Sequence, residues 1–167
     1  MVIKKLAEGT RIYLKKKKPF PLYIQPDKTL VNDTLYVAYD VRENGITVIP
    51  KGSRVIGDWV TESRPTIAAQ FQLTRVYING CGQDIKGDSE VIEATSDYND
   101  REVCNVGHLY KQLEYRGSSN IKRRIADIGC RVKTLLDNHL NTIYLEIFTK
   151  EIPITLTQDF VAFPCLR

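Results

Sequence analysis

The sequence predicts a mainly β fold, a single β-barrel or sandwich, with one insertion of an acidic loop and an α-helix at about residues 84–140. Two observations lead to this prediction. Apolar and polar residues alternate between Leu35 and Ile78, which is the period of half-buried strands. Turn-forming groups that contain Asn-Gly or Pro-x-Gly separate the alternating runs. Short antiparallel strands joined by tight turns explain both observations.

The bulk composition fits one ordinary globular domain. Of the 167 residues, 43% are apolar and 26% are charged, which is far from the composition of disordered chains. We therefore expect residues 1–167 to form a single β-rich domain that contains the insertion 84–140. The formal charge of +4 comes from 24 basic and 20 acidic side chains, so bulk charge does not indicate a nucleic-acid partner.

The sequence also predicts a cellular location. No window has the ~18 consecutive apolar residues of a membrane span, and Met1–Gly9 lacks the apolar core of a secretory signal. We expect an intracellular protein, made in the cytoplasm as part of an assembly or a virion, that is not secreted by a signal peptide. The four cysteines form no Cys-x-x-Cys pair, which favours reduced thiols.

The first predicted strand is Thr10–Leu14, which is rich in β-branched and aromatic residues. Four adjacent lysines, Lys15, Lys16, Lys17 and Lys18, follow it. Like charges repel one another and stay solvated, so an exposed loop or a guarded strand edge is the favoured interpretation. The alternatives are a nuclear address and an arm that contacts phosphates.

The middle of the chain predicts three strands and two tight turns. The strands are Thr34–Val41, Ile46–Ile49 and Ser53–Val60. Asn44-Gly45 predicts a hairpin turn, because both residues tolerate positive φ. Pro50 and Gly52 predict a second turn of type I, with Pro50 at its first corner and Gly52 at its last position.

The next predicted strand, Thr66–Ile78, changes its apolar face along its length. The apolar face of this strand is at odd-numbered positions up to Leu73, and at even-numbered positions at Val76 and Ile78. A bulge near Arg75 explains the switch, because one extra residue reverses the alternation. Asn79-Gly80 then predicts another turn.

The insertion has two parts. Asp84–Glu102 contains many acidic residues and turn formers, and predicts a loop. From Ser119 to Leu140, apolar residues recur at spacings of four, three, four, three and one, which predicts an amphipathic helix. These residues are Ile121, Ile125, Ile128, Val132, Leu135 and Leu136. The chain then returns to predicted strands at Thr142–Phe148, Ile152–Thr157 and Phe160–Phe163.

One segment resembles a known family. Val48–Gly57, which reads Val-Ile-Pro-Lys-Gly-Ser-Arg-Val-Ile-Gly, and the later Phe71 and Asn79-Gly80 resemble the β-barrel domain of TrbI-like conjugation proteins. Gly9-Thr10 and Ile152–Thr157 match its opening and closing strands. Those proteins are channel-scaffold subunits of type IV secretion systems. The resemblance implies a barrel and a role as an assembly subunit, although the basic insertion of this chain departs from the family's apolar one.

No motif in the sequence predicts catalysis. Gly-x-Ser-x-Gly elbows, phosphate-binding glycine loops and His-Glu-x-x-His helices are absent from it. Cys104 and His108 are spaced as half of a zinc site, but closed zinc sites need four ligands, so a buried thiol and a surface imidazole are favoured. We expect no enzyme activity, no catalytic residues, no cofactor and no metal.

The favoured functional hypothesis is a non-enzymatic structural subunit of a large assembly, either a virion capsid-type component or a secretion-channel-like scaffold. Its partners are then other protein subunits, of the same or of different chains. The alternative is a nucleic-acid-binding module that uses the Lys15–Lys18 run and the basic helix 119–140. Its contacts near and within that helix would be Arg116, Lys122, Arg123, Arg124, Arg131 and Lys133.

Overall fold

The computed structural model describes residues 4–17, 22–25, 30–62, 67–94, 130–137, 140–147 and 151–164. Throughout these ranges the regular structure is β, which confirms the mainly β prediction. The first seven strands are β1 Lys4–Leu6, β2 Arg11–Lys15, β3 Leu22–Ile24, β4 Leu30–Val37, β5 Val41–Glu43, β6 Ile46–Ile49 and β7 Arg54–Glu62. The next seven are β8 Ile67–Ile78, β9 Cys81–Ser89, β10 Ile92–Ala94, β11 Cys130–Asp137, β12 Leu140–Ile147, β13 Ile152–Leu156 and β14 Phe160–Ala162.

Six strands pair in a closed sequence, which we call the strand ring. β2 pairs with β4, β4 with β7, β7 with β8, β8 with β9, β9 with β13, and β13 again with β2. Every one of these pairings is antiparallel. Each strand of the ring therefore has a hydrogen-bonded neighbour on both sides, which removes the exposed edges that favour aggregation.

Smaller sheets lie around the strand ring. β10 pairs with β8, and β1 pairs with β14. β5 and β6 form a hairpin inserted between β4 and β7. β12 pairs with β11 on one side and with β3 on the other. Within the described part of the chain, no helix is long and apolar enough to cross a membrane.

The core lies inside the strand ring, where alternate residues of each strand point inward. Trp59 and Phe71 are its largest side chains, both fully buried, and their rings meet edge to face with centroids 5.1 Å apart. Burying an aromatic or aliphatic side chain of this size contributes about 1.5–3 kcal/mol to folding. The aliphatic residues packed in the same cluster include Leu14, Leu35, Val37, Val55, Val76, Ile152 and Ile154.

Both Asn-Gly turns are as predicted. Asn44 and Gly45 have φ of 52° and 78°, and Asn79 and Gly80 have φ of 51° and 81°. Positive φ at both central residues is what a two-residue hairpin requires. The first turn joins β5 to β6, and the second joins β8 to β9.

The predicted type I turn at Pro50 is wrong in its register. The Ser53 N–H donates to the Pro50 carbonyl over 3.1 Å, so Pro50 is the first residue of the turn. Gly52 is then the third residue, with φ of 85°. Positive φ at that position characterises a type II turn, which needs glycine there.

The bulge predicted near Arg75 is confirmed. The register of β8 with β9 shifts between Leu73 and Arg75, and that of β7 with β8 shifts between Ile56 and Gly57. Thr74 is the extra residue, and its hydroxyl donates to the Ile56 carbonyl over 3.1 Å. The side chain thus satisfies an acceptor that the regular ladder leaves unpaired at a bulge.

The predicted helix 119–140 is wrong where the structure describes it. Residues 130–137 are β11, and every one of them has a register partner in β12. Two strands joined across residues 138–139 form a hairpin, so ladder hydrogen bonds replace those of a helix. Residues 119–129 lie outside the described ranges.

The predicted acidic loop is also wrong at its beginning. Residues 84–89 belong to β9, where exposed Asp84 and Lys86 alternate with buried Ile85 and Gly87. Its charged residues occupy the outward positions of a strand, so they do not prevent pairing on both sides. Residues 95–102 lie outside the described ranges.

Candidate functional site

The lysine run begins where β2 ends. Lys15 is the last residue of β2 and is exposed, Lys16 is half-buried and Lys17 is exposed. Lys18 lies outside the described residues. The favoured prediction of an exposed loop or strand edge therefore fits the first three lysines, although β2 itself is paired on both sides.

Two of the other predicted basic contacts, Arg131 and Lys133, are on a strand and not on the predicted helix. Arg131 and Lys133 are in β11, opposite Glu146 and Tyr144 of β12. Residues two apart in a strand share one side of the sheet, so these two positions are on the same side. Arg116, Lys122, Arg123 and Arg124 lie outside the described residues, as do Cys104 and His108.

The structure adds a feature that the sequence reasoning missed, which we call the cation–aromatic row. Four register partners on consecutive strands of the ring compose it: Lys15 of β2, Tyr36 of β4, Arg54 of β7 and Tyr77 of β8. Directly opposed residues lie on the same face of a sheet. Their chain neighbours Leu14, Leu35, Val37, Val55 and Val76 are buried in the core, so the row lies on the outer face.

A cation–π contact joins two members of the row. The Cζ atom of Arg54 lies 4.0 Å from the centroid of the Tyr77 ring. Arg75 lies beside the same ring at 5.8 Å and forms an ion pair of 3.2 Å with exposed Asp84. A guanidinium over an aromatic face is attracted by the ring quadrupole, and the contact orders both side chains.

Gly82 of β9 lies at the end of the row, opposite Tyr77. A Cβ atom at this position would lie 2.7 Å from Nε of Arg75 and 2.9 Å from Cε1 of Tyr77. Those distances are shorter than van der Waals contact, so a side chain would displace one or both groups. The glycine allows the arginine and the tyrosine to lie close against the outer face of β9.

A second feature is the end of β14. The side-chain amide of Gln83 donates to the Phe163 carbonyl over 3.1 Å and accepts from the Phe163 N–H over 2.7 Å. One side chain thus reproduces the pair of hydrogen bonds that a neighbouring strand would supply. The backbone of Phe163 is fixed by these bonds, yet its side chain is 69% exposed.

An aspartate anchors the beginning of β14 to β1. Asp159 accepts a hydrogen bond of 2.8 Å from the Glu8 N–H and forms an ion pair of 3.2 Å with Lys5. The hydrogen bond from Glu8, followed by Lys5, holds the pKa of Asp159 below its ordinary value. Asp40 stabilises the Pro50 turn in a similar way. It accepts a hydrogen bond from the Lys51 N–H, and this bond lowers the pKa of Asp40.

A small cavity of about 290 Å³ lies between β1 and the β5–β6 hairpin. The side chains that line it combine both charges with aliphatic surface; they are Lys4, Lys5, Ala7, Glu43, Asn44, Ile46 and Val48. Among the residues that the structure describes, no three histidine, cysteine, aspartate or glutamate side chains cluster as metal ligands would. Cys81 is a half-buried free thiol.

The comparisons with known proteins give one relationship. The chain is 49% identical over 162 residues to the protein named "Uncharacterized protein L591" of Acanthamoeba polyphaga mimivirus. The alignment covers 97% of this chain and 62% of the mimivirus protein. No family model matches the chain, and no solved structure matches it. In sequence, the protein is therefore similar to a longer protein of a giant virus.

Proposed function

We propose that the protein is a non-enzymatic structural subunit of a large assembly, of the virion capsid type, and that it functions through contacts with other protein subunits. In this proposal the strand ring is a small β-barrel that serves as a rigid scaffold, as the resemblance to TrbI-like proteins implies. The virion or a cytoplasmic assembly site is the corresponding location. Similarity to a mimivirus protein supports the viral setting.

The observation that carries the proposal is the fixed, exposed aromatic side chain of Phe163. Val161 lies two residues before it, and its side chain is 40% exposed. Val161 lies in β14 and Phe163 directly follows its last residue, so two exposed apolar residues form a patch at the strand end that Gln83 holds. A patch that is ordered before contact loses little conformational entropy on association, which favours a subunit interface.

The roles of the polar side chains also support a scaffold. Asp33 accepts from the indole N–H of Trp59 over 2.8 Å, and Ser53 donates to the Pro50 carbonyl over 2.6 Å. Asp40, Gln83 and Asp159 also form hydrogen bonds within the chain. These side chains thus hold turns, strand ends and a core residue in place. They stabilise the fold, as expected of a subunit whose surface contacts are its function.

Measuring the molar mass by light scattering across a concentration series tests the proposal. We expect association of the wild-type protein that weakens at least about tenfold in Phe163→Ser, because a buried aromatic anchor often contributes more than 1.4 kcal/mol to an interface. Val31→Ser is the matched control, since Val31 is 59% exposed but lies on β4. A wild-type chain that stays monomeric at every concentration would contradict the proposal.

A further inference from the structure

We propose that the outer face of the strand ring binds single-stranded nucleic acid along the cation–aromatic row, with Lys16, Lys17 and Arg75 beside it. The juxtaposition of Lys15, Tyr36, Arg54 and Tyr77 by register carries this inference. Neighbouring strands lie about 4.8 Å apart, so the row spans about 14 Å across the sheet. Cations and aromatic rings alternate along this length.

The charges of this face favour a polyanion. Lys15, Lys17 and Arg54 are exposed. Among the ion pairs formed by the described residues, only that of Arg75 with Asp84 involves this face. Lys15, Lys17 and Arg54 form no ion pair with any residue that the structure describes. A single strand offers phosphates to lysine and arginine, and its binding releases condensed counterions.

The aromatic rings favour a single strand over a duplex. Unstacked bases can lie against tyrosine rings or against the plane of an arginine guanidinium, whatever their sequence. Tyr36 and Tyr77 are half-buried, so part of each residue is open to solvent. In a duplex the bases are stacked on each other, and the grooves are read by an inserted helix or ribbon. The row is the face of a continuous sheet, which suits splayed bases.

The packing around Tyr77 orders one end of the row without a ligand. Arg54 covers one ring at 4.0 Å, and Gly82 leaves the space that Arg75 and Tyr77 occupy. A cross-strand cation–π pair also stabilises a sheet, but that role does not require Lys15 and Lys17, which have no ion-pair partner among the described residues. Binding of nucleic acid uses all of these groups together.

Fluorescence anisotropy with labelled oligothymidylate and oligouridylate of about 15 nucleotides tests the inference, because sites of this kind cover about 4–16 nucleotides. We expect either or both to bind at low salt, and log K to fall with log salt by about 0.7 per phosphate contacted. Tyr36→Leu and Tyr77→Leu should each weaken binding about 5- to 100-fold, as expected for the loss of one stacked base. Arg54→Gln should reduce the salt slope by about 0.7.

Two variants outside the row are matched controls. Lys86→Gln removes an exposed positive charge from another part of β9, and Tyr23→Leu removes an exposed ring from β3. Both should leave the affinity unchanged. Urea unfolding of each variant shows whether it is folded; if Arg54→Gln is not, Lys15→Gln at the end of β2 takes its place, with the same expected change in slope.

Four outcomes would overturn the inference. The first is that neither oligonucleotide binds at low salt, and the second is that the control variants weaken binding as much as the row variants do. The third is that a duplex of the same length binds more tightly. The fourth is that polyglutamate at an equal concentration of charge displaces the oligonucleotide completely. The last result would identify the row as a site for acidic protein segments.

Discussion

Replacing Gly57 by alanine should destabilise the protein by about 2–3 kcal/mol, because the core leaves no room for one methyl group at this position. A Cβ atom there would lie 2.6 Å from Cε2 of Phe71 and 2.5 Å from the carbonyl oxygen of Gln72. The first neighbour is a fully buried ring and the second is backbone of the paired strand β8, so neither can move cheaply. Overpacking of a core costs about 1–3 kcal/mol, and a clash with backbone belongs at or above the upper end. The lower entropy of the unfolded alanine chain offsets about 0.4–1 kcal/mol of this cost.

Urea unfolding followed by tryptophan fluorescence measures this change directly. Trp59 is the single tryptophan of the chain, and its ring contacts Phe71, so the signal comes from the perturbed region. Gly82→Ala is the control, because the same substitution there meets chiefly the movable end of the Arg75 side chain. We expect the control to change the free energy of unfolding by less than about 1 kcal/mol. Gly57→Ala with a loss no larger than that of the control would refute the reasoning.

Two further predictions concern the strand ends. Gln83→Ala should cost about 1–3 kcal/mol, because it leaves the Phe163 N–H and carbonyl without their partner, and amide hydrogen exchange should then speed up first in residues 160–163. Acid should destabilise the protein, because Asp40 and Asp159 have folded-state pKa values below their ordinary ones. Their stabilising contribution is present above the unfolded-state pKa of about 4 and is lost as the pH falls through the folded-state value. The urea midpoint, measured between about pH 7 and about pH 3, should fall less steeply in the double variant Asp40→Asn, Asp159→Asn than in the wild type.

Turn residues and alternation predicted much of the fold from sequence, because both are local. Asn44-Gly45 and Asn79-Gly80 determine their hairpins through their own φ preferences. In the strand that contains Trp59, the sequence correctly predicts one face with Val55, Gly57 and Trp59 and the opposite face with Arg54, Ile56 and Asp58. Such features need no knowledge of the partner strand.

The predictions of the helix and of the acidic loop failed because the deciding interaction lies outside each segment. Val132, Leu135 and Leu136 fit a helical spacing, yet Cys130, Val132 and Leu136 also fit the alternation of a strand. Pairing with β12 decides between the two. In β9 three of the four buried positions are Gln83, Gly87 and Ser89, and the single aliphatic residue Ile85 gives no apolar alternation.

Gly87 has no side chain at the place where β9 packs closely against the partner strand β13. A Cβ atom at this position would lie 2.9 Å from Cγ2 of Ile154 and 3.0 Å from the Thr155 carbonyl oxygen. Its small size lets β9 approach β13 and close the strand ring. The sequence contains the glycine, but its purpose depends on a strand more than sixty residues later.

The candidate site shows the same limit, because a row across a sheet is composed of residues that are distant in sequence. Lys15, Tyr36, Arg54 and Tyr77 come from four strands, and no local pattern connects them. The one local signal was the bulge. Before it, Phe71 and Leu73 point into the core; after it, Val76 does, so Arg75 and Tyr77 are turned to the outer face. If β8 kept a regular alternation through Thr74, with no bulge there, the parity that buries Leu73 would direct both of these side chains inward. The bulge that this parity switch reveals is therefore a condition for the row: a β8 that alternated regularly through Thr74 would have to bury an arginine and a tyrosine.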